Sequence, residues 1–150
     1  MNAFSSANPE NPVNPVQNSS LDLPNPVQNL TGRIIGCAMK VHRELGPGYL
    51  ESVYQNALLH ELRKAGIPTE AQKPIKVYYD GVVVGEFVAD LVIGDEIIIE
   101  LKAVERLIKA HEVQTVNYLT ATRTDVGLLI NFGAESLEFK KKFRLHDRQG

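Results

Sequence analysis

Three charged side chains lie within two of the most apolar stretches of the chain. Asp90 directly follows Phe87-Val88-Ala89, and Glu100 and Lys102 belong to the run Ile97–Lys102. Strands that read as nearly continuous apolar runs are usually buried on both faces, and a carboxylate buried there is costly unless it is paired or binds a metal. Two carboxylates beside an ammonium can hold a divalent cation and activate a water against a phosphodiester. The sequence therefore predicts a metal-dependent hydrolytic site.

The position of Asp90 relative to Glu100 depends on the turn between their strands. Successive side chains of a strand point to opposite faces, so Glu100 and Lys102 share a face, about 6.6 Å apart along the strand. With a two-residue loop at Gly94-Asp95, Asp90 would lie on the wrong face. With a three-residue loop over residues 94–96, it would lie opposite Glu100, and a bulge would have the same effect. The sequence leaves these alternatives open.

The periodicity of the apolar residues predicts eight elements in the order helix, helix, three strands, helix, two strands. The predicted helices cover Thr31–Leu45, Tyr49–Lys64 and Glu105–Thr122. The predicted strands cover Ile75–Tyr79, Val82–Ile93, Glu96–Ala103, Val126–Phe132 and Leu137–Phe143. A meander followed by a helical crossover gives an α/β fold with a mixed sheet flanked by helices.

The first part of the chain differs in composition from the rest. The chain has 150 residues, 43% of them hydrophobic, which suits the core of one domain. Residues 1–29 are rich in Asn, Pro, Ser and Gln and contain the unit Asn-Pro-Val-Gln-Asn twice. Such a tract cannot bury enough surface to offset its ordering entropy, although a binding tail is the functional alternative. We expect a disordered tail over residues 1–29, a folded domain over 30–146 and a short tail over 147–150.

Charge and composition narrow the function classes. Of the 18 acidic residues, Glu10 and Asp22 lie in the tail, so the remaining 16 balance the 16 basic residues. A high-affinity nucleic-acid binder usually shows a basic excess; the run Lys140–Lys142 is either a solvated strand face or a phosphate patch. Cys37 is the only cysteine, so an intramolecular disulfide is excluded. Because no apolar stretch approaches about 20 residues, we expect a soluble, cytoplasmic protein without membrane association.

Several motifs surround the charged set. The segment Gly48-Tyr49-Leu50-Glu51-Ser52-Val53-Tyr54 resembles the motif of the GxxExxY protein family, which looks like a branch of the PD-(D/E)XK nuclease superfamily. The resemblance extends from about Leu30 to Arg144. The other motifs that carry it are Leu45–Gly48, Asp90, Glu100–Lys102, Gln114 with Tyr118, and Leu128–Gly133. It implies a restriction-endonuclease-like core, with the elements in the order α-α-β-β-β-α-β-β.

The resemblance implies a role for each catalytic position. Asp90 and Glu100 would hold Mg²⁺, with Mn²⁺ as the alternative ion, and Lys102 would orient or deprotonate the attacking water. Glu51 corresponds to the helical acidic residue that often supports the metal site in the superfamily. The alternative for Glu51 is an ordinary first-turn residue favoured by the helix macrodipole. Proline usually precedes the Asp in the superfamily, whereas this chain has Ala89.

Two residues of the last predicted helix complete the candidate site. Gln114 and Tyr118 lie four apart on one helix face, like the Gln-x-x-x-Tyr pair of related exonuclease-type members. They would contact a phosphate or position the strand of Lys102, and ordinary helix packing is the alternative. His111 lies near Gln114 by helical spacing, but a polar surface position is the favoured interpretation.

Three functions are compatible with these residues. The first is a small Mg²⁺-dependent nuclease that cleaves nucleic acid, with DNA favoured over RNA. The second is a nucleic-acid-binding module that keeps the fold without the chemistry, and the third is a subunit of a larger complex. The competent side chains at all three motif positions favour the first. A homodimer is one of the oligomeric states that the sequence leaves open.

Overall fold

The computed structural model describes residues 26–145 and contains the predicted elements in the predicted order. The helices are α1 (Pro26–Leu45), α2 (Glu51–Lys64) and α3 (Lys109–Thr122). The strands are β1 (Glu70–Tyr79), β2 (Val82–Ile93), β3 (Ile97–Lys102), β4 (Val126–Asn131) and β5 (Glu138–Phe143). The predicted α/β class is thus confirmed. Within the described residues, no helix has the length and apolar character needed to cross a membrane.

The described residues fall into two units, residues 26–32 and 33–145. Within the described residues, the first unit contributes only the beginning of α1, where the Thr31 hydroxyl donates to the carbonyl of Gln28 at 2.8 Å. Residues 1–25 of the predicted tail, and the predicted tail over 147–150, lie outside the described residues. Residues 26–29, which were also assigned to the tail, form the first turn of α1. Pro26 is compatible with this position, because the backbone N–H that proline lacks would have no partner in a first helical turn. All features below belong to the second unit.

The five strands form one mixed sheet in the order β1-β2-β3-β4-β5. Neighbouring strands are antiparallel except β3 and β4, which are parallel and joined by α3. Such a crossover is what a parallel pair requires. All of β4, and β3 up to Leu101, are buried, which explains their continuous apolar sequence. The charged positions of β3 therefore lie at the centre of the sheet.

The last helix begins at Lys109 rather than at Glu105, where the apolar pattern predicted it. The residues before it are bound by side chains from another part of the chain. The Asn131 amide bonds both the N–H and the C=O of Val104, each at 2.9 Å, and Leu107 N–H donates to the carboxylate of Glu138 at 3.0 Å. Because these backbone groups already have partners, the helix starts only after them.

Candidate functional site

The turn between β2 and β3 has the three-residue loop, residues 94–96. The strands pair in the register that places Leu91 opposite Ile99. One pair further along, the same register places Asp90 opposite Glu100. Of the arrangements compatible with the sequence, the structure therefore has one that brings the two carboxylates together.

Asp90 and Glu100 bond to the backbone of each other's strands. The N–H of Asp90 donates to Oε2 of Glu100 at 3.2 Å, and the N–H of Leu101 donates to Oδ2 of Asp90 at 2.8 Å. These bonds satisfy buried donors where the backbone pairing of the two strands ends. Both side chains are thereby fixed in place before any ligand binds.

The electrostatics of the site disfavour the ionised form of its carboxyl groups. Glu100 is only 6% exposed, and burial, followed by repulsion from Asp90, raises its pKa to about 8 from an ordinary 4.5. Burial also raises the pKa of Asp90 and of Glu51. The Lys102 ammonium acts in the opposite direction on all three carboxyl groups. Lys102 is the cation that acts on all three carboxyl groups, and their raised pKa values indicate that the site can accept further positive charge.

Glu51 reaches the site because the preceding turn is held in place. It is the first residue of α2, and its pKa responds to Lys102 and Asp90. The buried Tyr54, at the end of the Gly48–Tyr54 motif, donates its hydroxyl proton to the carbonyl of Gly46 at 2.5 Å and accepts from the N–H of Tyr49 at 3.1 Å. Tyr54 is a core residue, and it fixes the turn that aims Glu51.

Lys102 is held by the end of β4. Its carbonyl accepts from the N–H of Phe132 at 2.9 Å, and the ring of Phe132 stacks on Tyr54 with a centroid distance of 4.8 Å. Gly133 lies so close to the backbone of Val104 that a Cβ there would overlap it. The segment Leu128–Gly133, noted in the sequence as a motif, thus anchors the chain immediately after Lys102.

The helix α3 brings Tyr118 to the carboxylates. Burial, then the charges of Glu100 and Asp90, raise the pKa of Tyr118, and a hydrogen bond from the side chain of Gln114 opposes this rise. The Tyr118 ring stacks on Phe87 of β2, with centroids 3.5 Å apart and planes 11° apart. The structure therefore places Tyr118 beside the site, whereas Gln114, which is solvent-exposed, contacts it through Tyr118.

Two further residues belong to this neighbourhood: His111, for which the sequence favoured a surface position, and Gln72, which was missed from the sequence. His111 lowers the pKa of Glu51, and its Nδ1 accepts from the N–H of Ile108 at 3.1 Å. Gln72 of β1 bonds the carboxylate of Asp90 and donates to Oε1 of Gln55 at 2.6 Å. His111 had a signal in its helical spacing. No sequence pattern indicated Gln72. Its backbone is left-handed, with φ of 55°, a conformation that is rare for a residue other than glycine and so is not expected from the residue type.

The donor set fits a magnesium ion better than a metal that needs an all-protein cage. Within residues 26–145, no group of three or more His, Cys, Asp or Glu side chains is arranged to hold a metal. The remaining donors are the carboxylates of Asp90 and Glu100, and Mg²⁺ typically binds through one or two carboxylates while keeping several waters. A divalent ion would also offset the repulsion that raises the pKa of Glu100.

Comparisons with known proteins bear on the family and the fold of the chain. A family model described as the PD-(D/E)XK nuclease superfamily matches residues 28–143. Among solved structures, one entitled "Crystal structure of SSO0001" is similar to this chain, with a TM-score of 0.52 and 19% sequence identity. The match covers 65% of this chain and 52% of that chain. At this identity the likeness is one of fold alone. The chain thus spans about half the length of that protein. Among curated proteins, none matches. The restriction-endonuclease-like core expected from the sequence is confirmed.

Proposed function

The chain belongs to the PD-(D/E)XK nuclease superfamily, and from that premise we propose that it is a Mg²⁺-dependent nuclease that hydrolyses phosphodiester bonds. The observation that carries the proposal is the placement of Asp90 opposite Glu100, with Lys102 on the same strand as Glu100. We also infer that it belongs to the GxxExxY branch, because Tyr54 and Glu51 of that motif support the site.

Each residue of the set has a distinct task in the proposed reaction. Asp90 and Glu100 would hold the metal, together with the Leu101 carbonyl. When bound, Mg²⁺ supplies electrostatic stabilisation of the phosphate and lowers the pKa of a bound water. Lys102 orients the attacking water and offsets the negative charge that grows on the phosphate. Glu51 would support the metal site through a water.

The substrate is held by residues of α3 in this proposal. Tyr118 contacts a phosphate next to the cleaved bond, since its hydroxyl is close enough to Glu100 and Asp90 for their charges to raise its pKa. Gln114 orients Tyr118 through their side-chain hydrogen bond. DNA is the first substrate to test, and RNA the second.

A cleavage assay tests the proposal. Purified protein is incubated with single-stranded and duplex DNA and RNA, in Mg²⁺, in Mn²⁺ and in EDTA. Cleavage should require the metal and fall about a hundredfold or more in Asp90→Asn and in Lys102→Ala. Asp80→Asn and Lys76→Ala are matched controls, because both residues are exposed and Asn tolerates the left-handed backbone at position 80. Circular dichroism establishes that each variant is folded.

Two results would reject the proposal. One is the absence of cleavage in every substrate and metal, and the other is equal cleavage by the site variants and the wild type.

A binding module without catalysis is the second candidate function. Its motivation is the small size and formally neutral charge of the domain, with 16 basic and 16 acidic residues from Leu30 onward, which leave no obvious part for substrate recognition. It predicts nucleic-acid binding that weakens with salt and no turnover under any condition of the same assay.

A further inference from the structure

A groove of about 690 Å³ lies between α3 and the β1–β2 hairpin. Three aromatic residues line it: Tyr78, Phe87 and Tyr118. Of the described residues that line it, Arg123 is the only charged one. The groove thus combines flat apolar surfaces with a single positive charge, and the motifs found in the sequence do not account for this combination.

Tyr118 connects the groove with the candidate site. It lines the groove and also lies near enough to Glu100 and Asp90 to feel their charges. Tyr118 stacks on Phe87, and both rings line the groove. Further along, Tyr78 is 62% exposed, which leaves most of its ring free to meet a ligand. A polymer cleaved at the carboxylates would therefore have its neighbouring units at these aromatic rings.

The end of the hairpin has an irregular register at this point. Val77 pairs with Gly85 and the next residue, Tyr78, pairs with Val83, so Val84 is an extra residue in β2. Both Val77 and Tyr78 line the groove. Bulges of this kind bend a strand and often occur beside active sites, where they redirect a side chain.

We propose that this groove binds the bases of an unpaired nucleic-acid strand beside the bond to be cleaved, an inference that rests on the proposed function for the position of that bond. Bases stack on aromatic side chains only when they are not already stacked inside a duplex. Arg123 pairs with a backbone phosphate or stacks on a base. Binding by stacking also suits a chain without a basic excess, because it depends less on phosphate contacts.

The proposal is tested by fluorescence anisotropy with a labelled oligo-dT strand and a duplex of the same length, both in EDTA so that no cleavage occurs. The wild type should bind the single strand more tightly than the duplex. Tyr78→Ala should weaken single-strand binding about tenfold, and Arg123→Gln should weaken it and reduce its salt dependence. Gln is chosen because Arg123 has a left-handed backbone, with φ of 58°, which an unbranched side chain of similar shape preserves.

The matched controls are Tyr79→Ala and Arg43→Gln. Tyr79 is the next residue of the same strand, is 74% exposed and does not line the groove; Arg43 is exposed on α1. Both variants should bind like the wild type. The proposal is overturned if no single-strand binding is seen, if the duplex binds equally well, or if Tyr79→Ala weakens binding as much as Tyr78→Ala. It is also overturned if Tyr78→Ala changes only the association state of the protein.

The failure of this inference can be distinguished from the failure of the proposed nuclease function. Single-strand binding that depends on Tyr78 but comes without cleavage would reject the nuclease and keep the groove. Metal-dependent cleavage that proceeds equally on duplex and single strand, and equally in Tyr78→Ala, would reject the groove and keep the nuclease.

Discussion

Replacing Glu100 by Gln should stabilise the metal-free protein at neutral pH. Burial and the charge of Asp90 raise the pKa of Glu100 to about 8 from 4.5. Between these values the folded protein keeps a proton that the unfolded chain has released, so the stability contributed by this group falls as the pH rises through the window. Gln has nearly the same shape, can still accept the N–H of Asp90, and does not titrate.

The size of the effect follows from the two pKa values. One unit of pKa corresponds to about 1.4 kcal/mol, so the difference between 4.5 and about 8 corresponds to about 5 kcal/mol once the pH exceeds both values. At pH 7 the folded protein has already lost about 3 kcal/mol of this stability. Below about pH 4.5, the neutral Glu100 and the Gln variant should be equally stable.

The measurement is urea unfolding of the wild type and Glu100→Gln in EDTA, at several values between about pH 5 and pH 8.5. The gap between the two curves should widen with pH. Saturating Mg²⁺ should then stabilise the wild type and have little effect on the variant, because a ligand stabilises only the state that binds it. Glu105→Gln is the control, since Glu105 is exposed and its removal should leave the pH profile unchanged.

A constant gap between Glu100→Gln and the wild type across the pH range would refute the reasoning. It would mean that Glu100 is ionised in the folded protein at every pH tested, and that the carboxylates of the site do not repel one another as their positions require.

Three further predictions concern the metal and the frame around the site. Calorimetric titration should show Mg²⁺ binding at millimolar concentration or tighter in the wild type and none in Asp90→Ala, and equal binding by both would exclude Asp90 as a ligand. Gly133→Ala should destabilise the protein by about 1–3 kcal/mol in urea unfolding, because the new Cβ meets the backbone of Val104. The control is Gly36→Ala in α1, where the space around the new Cβ is open. This variant should stabilise the protein by about 0.5–1 kcal/mol, because alanine favours a helix more than glycine does. Tyr54→Phe should lose about 1 kcal/mol of stability with the hydrogen bond to the turn before α2, and a lower Mg²⁺ affinity in the same variant would show that this turn positions Glu51.

Local patterns in the sequence were sufficient for the order of elements and for the charged set. The apolar runs of the sequence located the ends of β2 and β3 to within one residue. Each of these strands has its own apolar pattern, so no distant contact was needed to find it. The loop length at residues 94–96 could not be chosen from the sequence, because the register of β3 also depends on its pairing with β4, whose strand lies beyond α3. The placement of Asp90 opposite Glu100 therefore needed the structure.

The wrong start of α3 and the omission of Gln72 have the same cause, which is contact between residues far apart in the sequence. The predicted helix start at Glu105 was wrong because Asn131 and Glu138, which hold the preceding backbone, lie 27 and 31 residues from their partners. Gln72 was missed because its contact with Asp90 depends on a left-handed residue inside a strand, a conformation that no local pattern indicates. The roles of Glu51, Gln114 and Tyr118 stay predictions.

The hairpin that carries Asp90 and Glu100 has a consequence for how the protein folds. The two residues are only 10 positions apart in the chain, and a β-hairpin of this kind closes in about 1–10 μs. The pairing of β3 with β4 must wait for the crossover through α3, a contact of longer range that forms more slowly. We therefore expect the two carboxylates to meet before the sheet that buries them is complete. Their repulsion should then raise the free-energy barrier to folding. A divalent ion in the refolding buffer should shorten the time that the chain takes to fold.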